Sequence, residues 1–311
     1  MPHTVPSDQE GPGFPGRRLL IRAGIADTQA ALDTFRQCSS RGMSRGIAEA
    51  VTGALVHACD RDTALYAVGQ LYARDETREA LPSTVQPNSD DVWGRLVKTL
   101  GASKRIGSMG EQGADLLSSV TGEYFSSSTW DKGMRADAFS AAASCGGNET
   151  AAVNALRHEY WKQIIAVAAF DMAHNDPAGI QPEVSSYISD LVDCALDAAV
   201  QIALRSVGAS EDILFSVIGM GKLGAREINY VSDVDLIYVA EPRHEGVTHA
   251  ELVKKGTAAG IKLQKICQSV IPGVNEPPLW KVDCALRPEG KAGPLVRTLE
   301  SHYEYYQKWA E

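Results

Sequence analysis

The feature that most constrains this chain is a glycine-rich turn between two short apolar runs. Residues 213–218 have the length and β-branched content of a buried strand, and residues 234–239 form a second run of the same kind. The glycines between them are at positions 219, 221 and 224. Ten residues separate Lys222 from Asp233, whereas a helical crossover between parallel strands takes about a dozen or more. The sequence therefore predicts two strands joined by a tight glycine turn.

Two aspartates lie two residues apart at the start of the second run. Because side chains alternate along a strand, Asp233 and Asp235 are expected to point to the same side. Adjacent carboxylates repel each other, and Mg²⁺ is commonly held by one or two carboxylates together with substrate phosphates. Asp283, within a third predicted strand at 279–286, supplies another carboxylate. The pattern predicts a metal-dependent phosphoryl or nucleotidyl transferase.

Two other glycine-rich sites are excluded by spacing. The run from Gly219 to Gly224 matches the dinucleotide pattern GxGxxG. A dinucleotide site needs a full helix after this pattern and an acidic residue about 20 positions on, whereas here the next predicted strand begins only ten residues after Gly224. A Walker A loop also fails, because Leu223 stands where that loop requires Ser or Thr. The aspartate pair alone could be a surface feature. Its combination with the glycine turn and with Asp283 on a third predicted strand is what favours a catalytic site.

Composition restricts the classes of protein and of partner. The net charge of −9 argues against a dedicated nucleic-acid binder. Six cysteines without a CxxC pair indicate reduced thiols in a cytoplasm, not a disulfide framework or a zinc site. No run reaches the roughly 18 apolar residues of a membrane span, so no membrane partner is expected.

The chain is predicted to divide into a tail, a helical region and a catalytic domain. Residues 1–16 are rich in proline and glycine and predict a disordered tail, and residues 17–205 predict an α-helical region. The catalytic domain is expected to occupy residues 206–311. The predicted helices are 27–38, 43–59, 62–73, 90–101, 130–144, 150–174, 183–206, 248–268 and 298–311, with a Ser/Thr-rich cap at 126–129 and breaks at 81–88, 145–148 and 175–179.

Residues 219–237, together with 282–295 around Asp283, closely resemble the bifunctional glutamine synthetase adenylyltransferase/adenylyl-removing enzymes of bacteria. These belong to the nucleotidyltransferase superfamily that includes polymerase β. The resemblance implies an α+β chain, in which an N-terminal all-α region precedes a polymerase β-like domain with a small mixed sheet flanked by helices. It also implies two such domains in the full-length enzyme. One motif set after a long helical region resembles the N-terminal, adenylyl-removing part, so we expect a catalytic domain truncated before its C-terminal helical companion.

The same resemblance assigns roles to residues of this chain. Asp233, Asp235 and Asp283 would be the catalytic residues and would hold two Mg²⁺ or Mn²⁺ ions. Phosphate and nucleotide would contact the glycine turn, a serine and four basic side chains: Gly219, Gly221, Gly224, Ser232, Lys222, Arg226, Arg287 and Lys291. Arg287 is the strongest of these candidates because a guanidinium can bind phosphate through two parallel hydrogen bonds. Arg226 could equally form a salt bridge to a nearby acid, and Ser232 could cap the turn.

The implied reaction is phosphorolysis of adenylyl-tyrosine on glutamine synthetase, giving ADP and the unmodified synthetase. Two alternatives remain open. ATP-dependent adenylylation would use the same site layout in the reverse direction, and only domain position separates the two. A truncated, non-catalytic module could instead bind glutamine synthetase or a PII signalling protein.

Overall fold

A computed structural model describes residues 14–85, 92–109, 113–122, 130–174 and 176–309. Most of the predicted tail and the predicted cap at 126–129 lie outside these residues. By its internal contacts the chain divides into two compact units. One comprises Met1–Thr129 and Ile165–Ile180, and the other comprises Trp130–Ile164 and Gln181–Glu311.

The first unit is built from short helices whose ends match their capping residues. Asp27, Ser44 and Asp60 each accept a hydrogen bond from a backbone N–H three residues later, which starts a helix. Phe35 and Trp93 are among the buried side chains of its core. The helices are Arg17–Arg22 (α1), Thr28–Ser40 (α2), Arg45–Leu55 (α3), Arg61–Ala73 (α4), Asp75–Ala80 (α5), Val92–Leu100 (α6), Lys104–Met109 (α7) and Ala114–Thr121 (α8). The helices predicted at 27–38, 43–59, 62–73 and 90–101 are thereby confirmed, although α3 ends four residues early.

Three helices precede the sheet: Lys132–Ala143 (α9), Glu149–Ala173 (α10) and Pro177–Ser206 (α11). Asp131 caps α9 by accepting from the N–H of Met134 at 3.1 Å. The predicted break at 175–179 is wrong in extent, because α11 already begins at Pro177. Proline is tolerated in a first helical turn, where its missing N–H has no intrahelical partner, and Asp176 caps this turn through the N–H of Gly179 at 3.0 Å.

In the described residues, one mixed sheet is centred on a single strand, Val234–Pro242 (β2). Ile213–Gly219 (β1) pairs with it antiparallel along its whole length. Two short strands, Val282–Asp283 (β3) and Val296–Arg297 (β4), pair with it parallel at successive positions. The α+β layout expected from the sequence is confirmed. The third strand predicted at 279–286 is much too long, because the N–H of Ala285 bonds to the Asp283 carboxylate at 2.7 Å and turns the chain away.

After a short helix at Gly221–Gly224 (α12), helix His249–Gln268 (α13) packs against the sheet, and Leu299–Trp309 (α14) ends the described chain. Thr248 and Glu251 cap each other's backbone at the start of α13. At its end, the buried guanidinium of Arg157 on α10 donates to the carbonyls of Ile266 and Ser269, each at 2.7 Å. Burial lowers the pKa of Arg157. This contact holds the segment that leads into β3.

Two further expectations concern membranes and cysteines. None of the helices in the described part of the chain combines the length and the apolar character that crossing a bilayer requires. Cys38, Cys59, Cys145, Cys194, Cys267 and Cys284 are all free thiols. Burial raises the pKa of Cys38 and Cys194, each to about 11.

Candidate active site

The glycine turn brings backbone against one of the predicted carboxylates. β1 ends at Gly219, and the N–H of Met220 donates to the carbonyl of Asp235 at 2.8 Å. A single helical turn, Gly221–Gly224 (α12), follows. Gly221 has a φ of 52°, and a Cβ built there would collide with Oδ2 of Asp235. Both its backbone conformation and the neighbouring Asp235 side chain therefore favour glycine at this position.

The aspartates lie on one side of the sheet, as the alternation predicts. Val234 and Leu236 are fully buried in the core, whereas Asp233 and Asp235 face the other way. In the parallel pairing of β2 with β3, Asp235 stands directly beside Asp283. Register partners on neighbouring strands project from the same face of a sheet. The pairing thus unites two carboxylates that are 48 residues apart in sequence.

A lysine that the sequence analysis did not single out also belongs to this site. Nζ of Lys281 lies 3.0 Å from Oδ2 of Asp233, and this hydrogen bond raises the pKa of Lys281. Its position two residues before Asp283 is the signal that could have identified it, since residues i and i+2 of an extended segment share a face. In this structure the ammonium partly balances the negative charge of Asp233.

The donor set fits a divalent cation. Asp233, Asp235 and Asp283 offer the carboxylate oxygens that Mg²⁺ and Mn²⁺ prefer. Within the described residues, however, no group of three or more His, Cys, Asp or Glu side chains already lies close enough together to hold a metal ion. Asp233 is paired with Lys281, and Asp283 accepts from the Ala285 N–H. Binding of a cation would therefore compete with these two contacts.

Ser232 and Lys222 lie beside the aspartates. Oγ of Ser232 donates to Oδ1 of Asn229 at 2.9 Å, and this Asn229 oxygen also accepts from the N–H of Val231. Ser232 thus contributes to the turn before β2. Nζ of Lys222, which is exposed, lies 3.4 Å from the Ser232 hydroxyl.

Arg287 and Lys291 occupy the loop after β3. The guanidinium of Arg287 donates to the carbonyl of Cys284 at 2.6 Å and to that of Gly293 from Nε at 3.3 Å. These contacts use the side chain to close its own loop, which the sequence analysis did not foresee. Lys291 lies in a short 3₁₀ turn, Gly290–Ala292, and its side chain is exposed.

Arg226 points to a different set of partners. Its guanidinium binds the carboxylates of Asp190 and Asp193 on α11 and the carbonyl of Ser186. Of the two interpretations left open by the sequence, the structure contains the salt bridge. Arg226 also has a φ of 61°, which is uncommon for a residue other than glycine.

Comparisons with known proteins place the chain in one family. The family model described as glutamate-ammonia ligase adenylyltransferase matches residues 93–311. Curated relatives, each named as a bifunctional glutamine synthetase adenylyltransferase/adenylyl-removing enzyme, include one from Bifidobacterium longum subsp. infantis, 41% identical over 308 residues. That match covers 96% of this chain and 28% of the relative. A relative from Cutibacterium acnes is 32% identical over 94% of this chain and 30% of its own length.

The chain thus spans less than a third of the length of these relatives. The matched residues contain the glycine turn and all three aspartates. The match exceeds half of the chain, and it agrees with the α+β layout and with the paired acidic positions described above. The chain belongs to the glutamate-ammonia ligase adenylyltransferase family.

Proposed function

We propose that the chain is a metal-dependent nucleotidyltransferase with a polymerase β-like catalytic domain that removes AMP from adenylyl-tyrosine of glutamine synthetase. In this reaction the adenylylated synthetase and phosphate give free synthetase and ADP, which would regulate nitrogen assimilation. The observation that carries the proposal is the register of β2 and β3, which sets Asp235 beside Asp283 next to the glycine turn. Free cysteines fit the reducing conditions of a cytoplasm.

The metal ligands in this proposal are Asp233, Asp235 and Asp283, which would hold two Mg²⁺ or Mn²⁺ ions. When bound, such ions offset the negative charge that develops on the attacking and leaving oxygens. The carboxylates themselves supply fixed negative charge on one face of the sheet, so that cations concentrate there and a bare phosphate does not.

The other residues bind and orient the reacting phosphates. The glycine turn lets backbone approach the phosphates without interference from side chains. Lys222 in this turn and Lys291 in the loop after β3 both have exposed side chains that could neutralise phosphate charge. Arg287 keeps the loop of Lys291 closed. An oxygen of inorganic phosphate attacks the α-phosphorus of the adenylyl group and forms the new P–O bond of ADP. The bond to the tyrosine oxygen breaks, and that oxygen takes a proton from solvent, so no protein nucleophile is needed.

The order of the elements is what supports this direction in the proposal. A long run of helices precedes the sheet, as in the adenylyl-removing part that the sequence resembles. ATP-dependent adenylylation would place the same groups around the same phosphorus atom. A non-catalytic module that binds glutamine synthetase or a PII protein would not require three acids on one face.

The test is incubation of the purified chain with adenylylated glutamine synthetase and Mg²⁺ or Mn²⁺, with and without phosphate. We expect ADP release that requires phosphate and falls on the order of 100- to 1000-fold in Asp233→Asn. The matched control is Asp33→Asn, since Asp33 is 51% exposed in an ion pair with Arg36 and Asp233 is 52% exposed in an ion pair with Lys281.

Other outcomes would each contradict a stated part of the proposal. AMP transfer from ATP to unmodified synthetase, without phosphate-dependent release, would mean that the direction is reversed. Neither activity in a folded chain that binds metal would leave a module that binds glutamine synthetase or a PII protein. Full activity in Asp233→Asn would remove this residue from the site.

A further inference from the structure

We propose that Arg226 is a positioning residue, which holds the glycine turn and the adjoining aspartate strand against helix α11, and that it does not bind phosphate. Its effect on turnover rests on the proposed function, whereas its effect on the order of the turn does not. Arg226 then does not belong to the predicted phosphate-binding set, and α11 is part of the catalytic unit.

The first observation is the backbone conformation of Arg226. Its φ of 61° lies in the left-handed region, which side-chain-bearing residues seldom occupy outside a context that compels it. The N–H of Arg226 bonds to the carbonyl of Leu223 at 3.0 Å, and the N–H of Glu227 bonds to that of Lys222 at 2.8 Å. The turn is thus closed by backbone hydrogen bonds on both sides of the strained residue.

The second observation is the set of acceptors around the guanidinium. Nη1 lies 3.0 Å from Oδ2 of Asp193, while Nη2 bonds to Oδ1 of Asp190 and to the carbonyl of Ser186 at 3.2 Å. These three residues follow one another at helical spacing on one face of α11. The Asp190 side chain is only 16% exposed. If Arg226 moved away to reach a phosphate, the largely buried Asp190 carboxylate would lose this partner.

A second cation shares the same two carboxylates. Nζ of Lys132 on α9 lies 3.0 Å from Asp190 and 3.0 Å from Asp193. The cluster formed by Arg226, Lys132, Asp190 and Asp193 therefore contains two positive and two negative charges and carries no surplus charge for a phosphate. Because Lys132 stays in place when Arg226 is replaced, we expect Arg226 variants to fold.

The turn transmits the position of Arg226 to the candidate metal ligands. Six residues before Arg226, the N–H of Met220 bonds to the carbonyl of Asp235. Two residues after it, Ile228 is fully buried. The segment between them is short, hydrogen-bonded at one end and buried at the other, so loss of the contact to α11 should loosen Gly221 and the Asp235 carboxylate that lies against it.

The test compares Arg226→Gln and Arg226→Lys with Arg243→Gln, whose side chain is exposed beyond the end of β2. Hydrogen exchange of the peptide spanning 220–230 should accelerate about tenfold in Arg226→Gln, the change expected when a charge-assisted contact is lost. The kcat for phosphate-dependent ADP release should fall about 10- to 100-fold, because small displacements of reacting groups have large kinetic effects. The KM for phosphate should stay unchanged, and Arg226→Lys, which keeps the charge, should recover part of both effects.

A double-mutant cycle checks the partner. If Arg226 acts through α11, Asp193→Asn combined with Arg226→Gln should accelerate exchange no more than Arg226→Gln alone. Additive effects of the two changes would contradict the proposed contact.

Two results would overturn the inference. A higher KM for phosphate in Arg226→Gln, with exchange and kcat unchanged, would make Arg226 a phosphate ligand. Exchange that is the same in Arg226→Gln, Arg243→Gln and the unsubstituted chain would exclude a positioning role. This second readout stays decisive if the unsubstituted chain releases no ADP, in which case the proposed function fails while faster exchange in Arg226→Gln alone still supports the positioning role.

Discussion

Replacement of Gly221 by alanine separates the backbone requirement of the turn from its contact with a carboxylate. Gly221 has a φ of 52°, and a Cβ at this position would collide with Oδ2 of Asp235. Gly208 is the matched control, since its φ is 63° and no described atom lies within 4 Å of a Cβ built there. Both glycines lie in the same compact unit.

The cost of each substitution can be estimated from these differences. A left-handed backbone costs a side-chain-bearing residue about 1–2 kcal/mol. The stiffer unfolded chain returns about 0.4–1 kcal/mol. Gly208→Ala should therefore lower the free energy of unfolding by about 1 kcal/mol. Gly221→Ala should lower the free energy of unfolding by this amount and by about 0.5–1.5 kcal/mol more, because the Asp235 side chain must leave its preferred rotamer by roughly 30°.

The displaced carboxylate should also weaken metal binding, which calorimetric titration with Mg²⁺ or Mn²⁺ measures directly. If affinity falls tenfold in Gly221→Ala, a metal concentration of about 100 times the original Kd stabilises the variant by only about 1.4 kcal/mol, compared with about 2.7 kcal/mol for the unsubstituted chain. Gly208→Ala should retain the full increment. Equal metal affinities in the two variants would refute the argument that Gly221 exists to admit the Asp235 carboxylate.

Two further substitutions test charges around the site and the sheet. Lys281→Gln removes the cation that competes for Asp233, so calorimetry should show tighter metal binding, and weaker binding would mean that Lys281 assists the metal. His302→Gln should reduce the dependence of stability on pH, because burial holds the pKa of His302 below its ordinary value of 6.5. The unfolded chain therefore binds a proton at His302 more readily than the folded chain does. As a result, the contribution of His302 to the free energy of unfolding is largest above pH 6.5 and decreases as the pH falls below this value. Denaturant unfolding of both proteins between pH 8 and pH 5, about the range in which histidine titrates, should show a larger decrease in the free energy of unfolding for the unsubstituted chain. Equal decreases in the two proteins would contradict the lowered pKa of His302.

Local patterns explain why so many elements were predictable. Helices such as α2 and α4 begin where an aspartate accepts a hydrogen bond from a backbone N–H, and the aspartate and this N–H lie within four residues of each other in sequence. Alternation from Asp233 into β2 likewise predicted that Asp233 and Asp235 share a face. The errors arose where neighbours override a local rule. Proline begins α11 instead of ending a loop, and a side chain of β3 caps its own turn and shortens the strand.

The sequence by itself determined the α+β class, the glycine turn and the aspartate pair, because these depend on spacing along a few residues. Only the tertiary structure decided which partners the charges have. Arg226 binds carboxylates 33 and 36 residues away, Lys281 pairs with Asp233 across 48 residues, and Arg287 closes its own loop. All three are cations close in sequence to acidic residues or to predicted phosphate-binding positions, so their sequence contexts do not tell them apart. An ion pair depends on distance in space and on the surrounding dielectric, which residue order does not specify until the chain has folded.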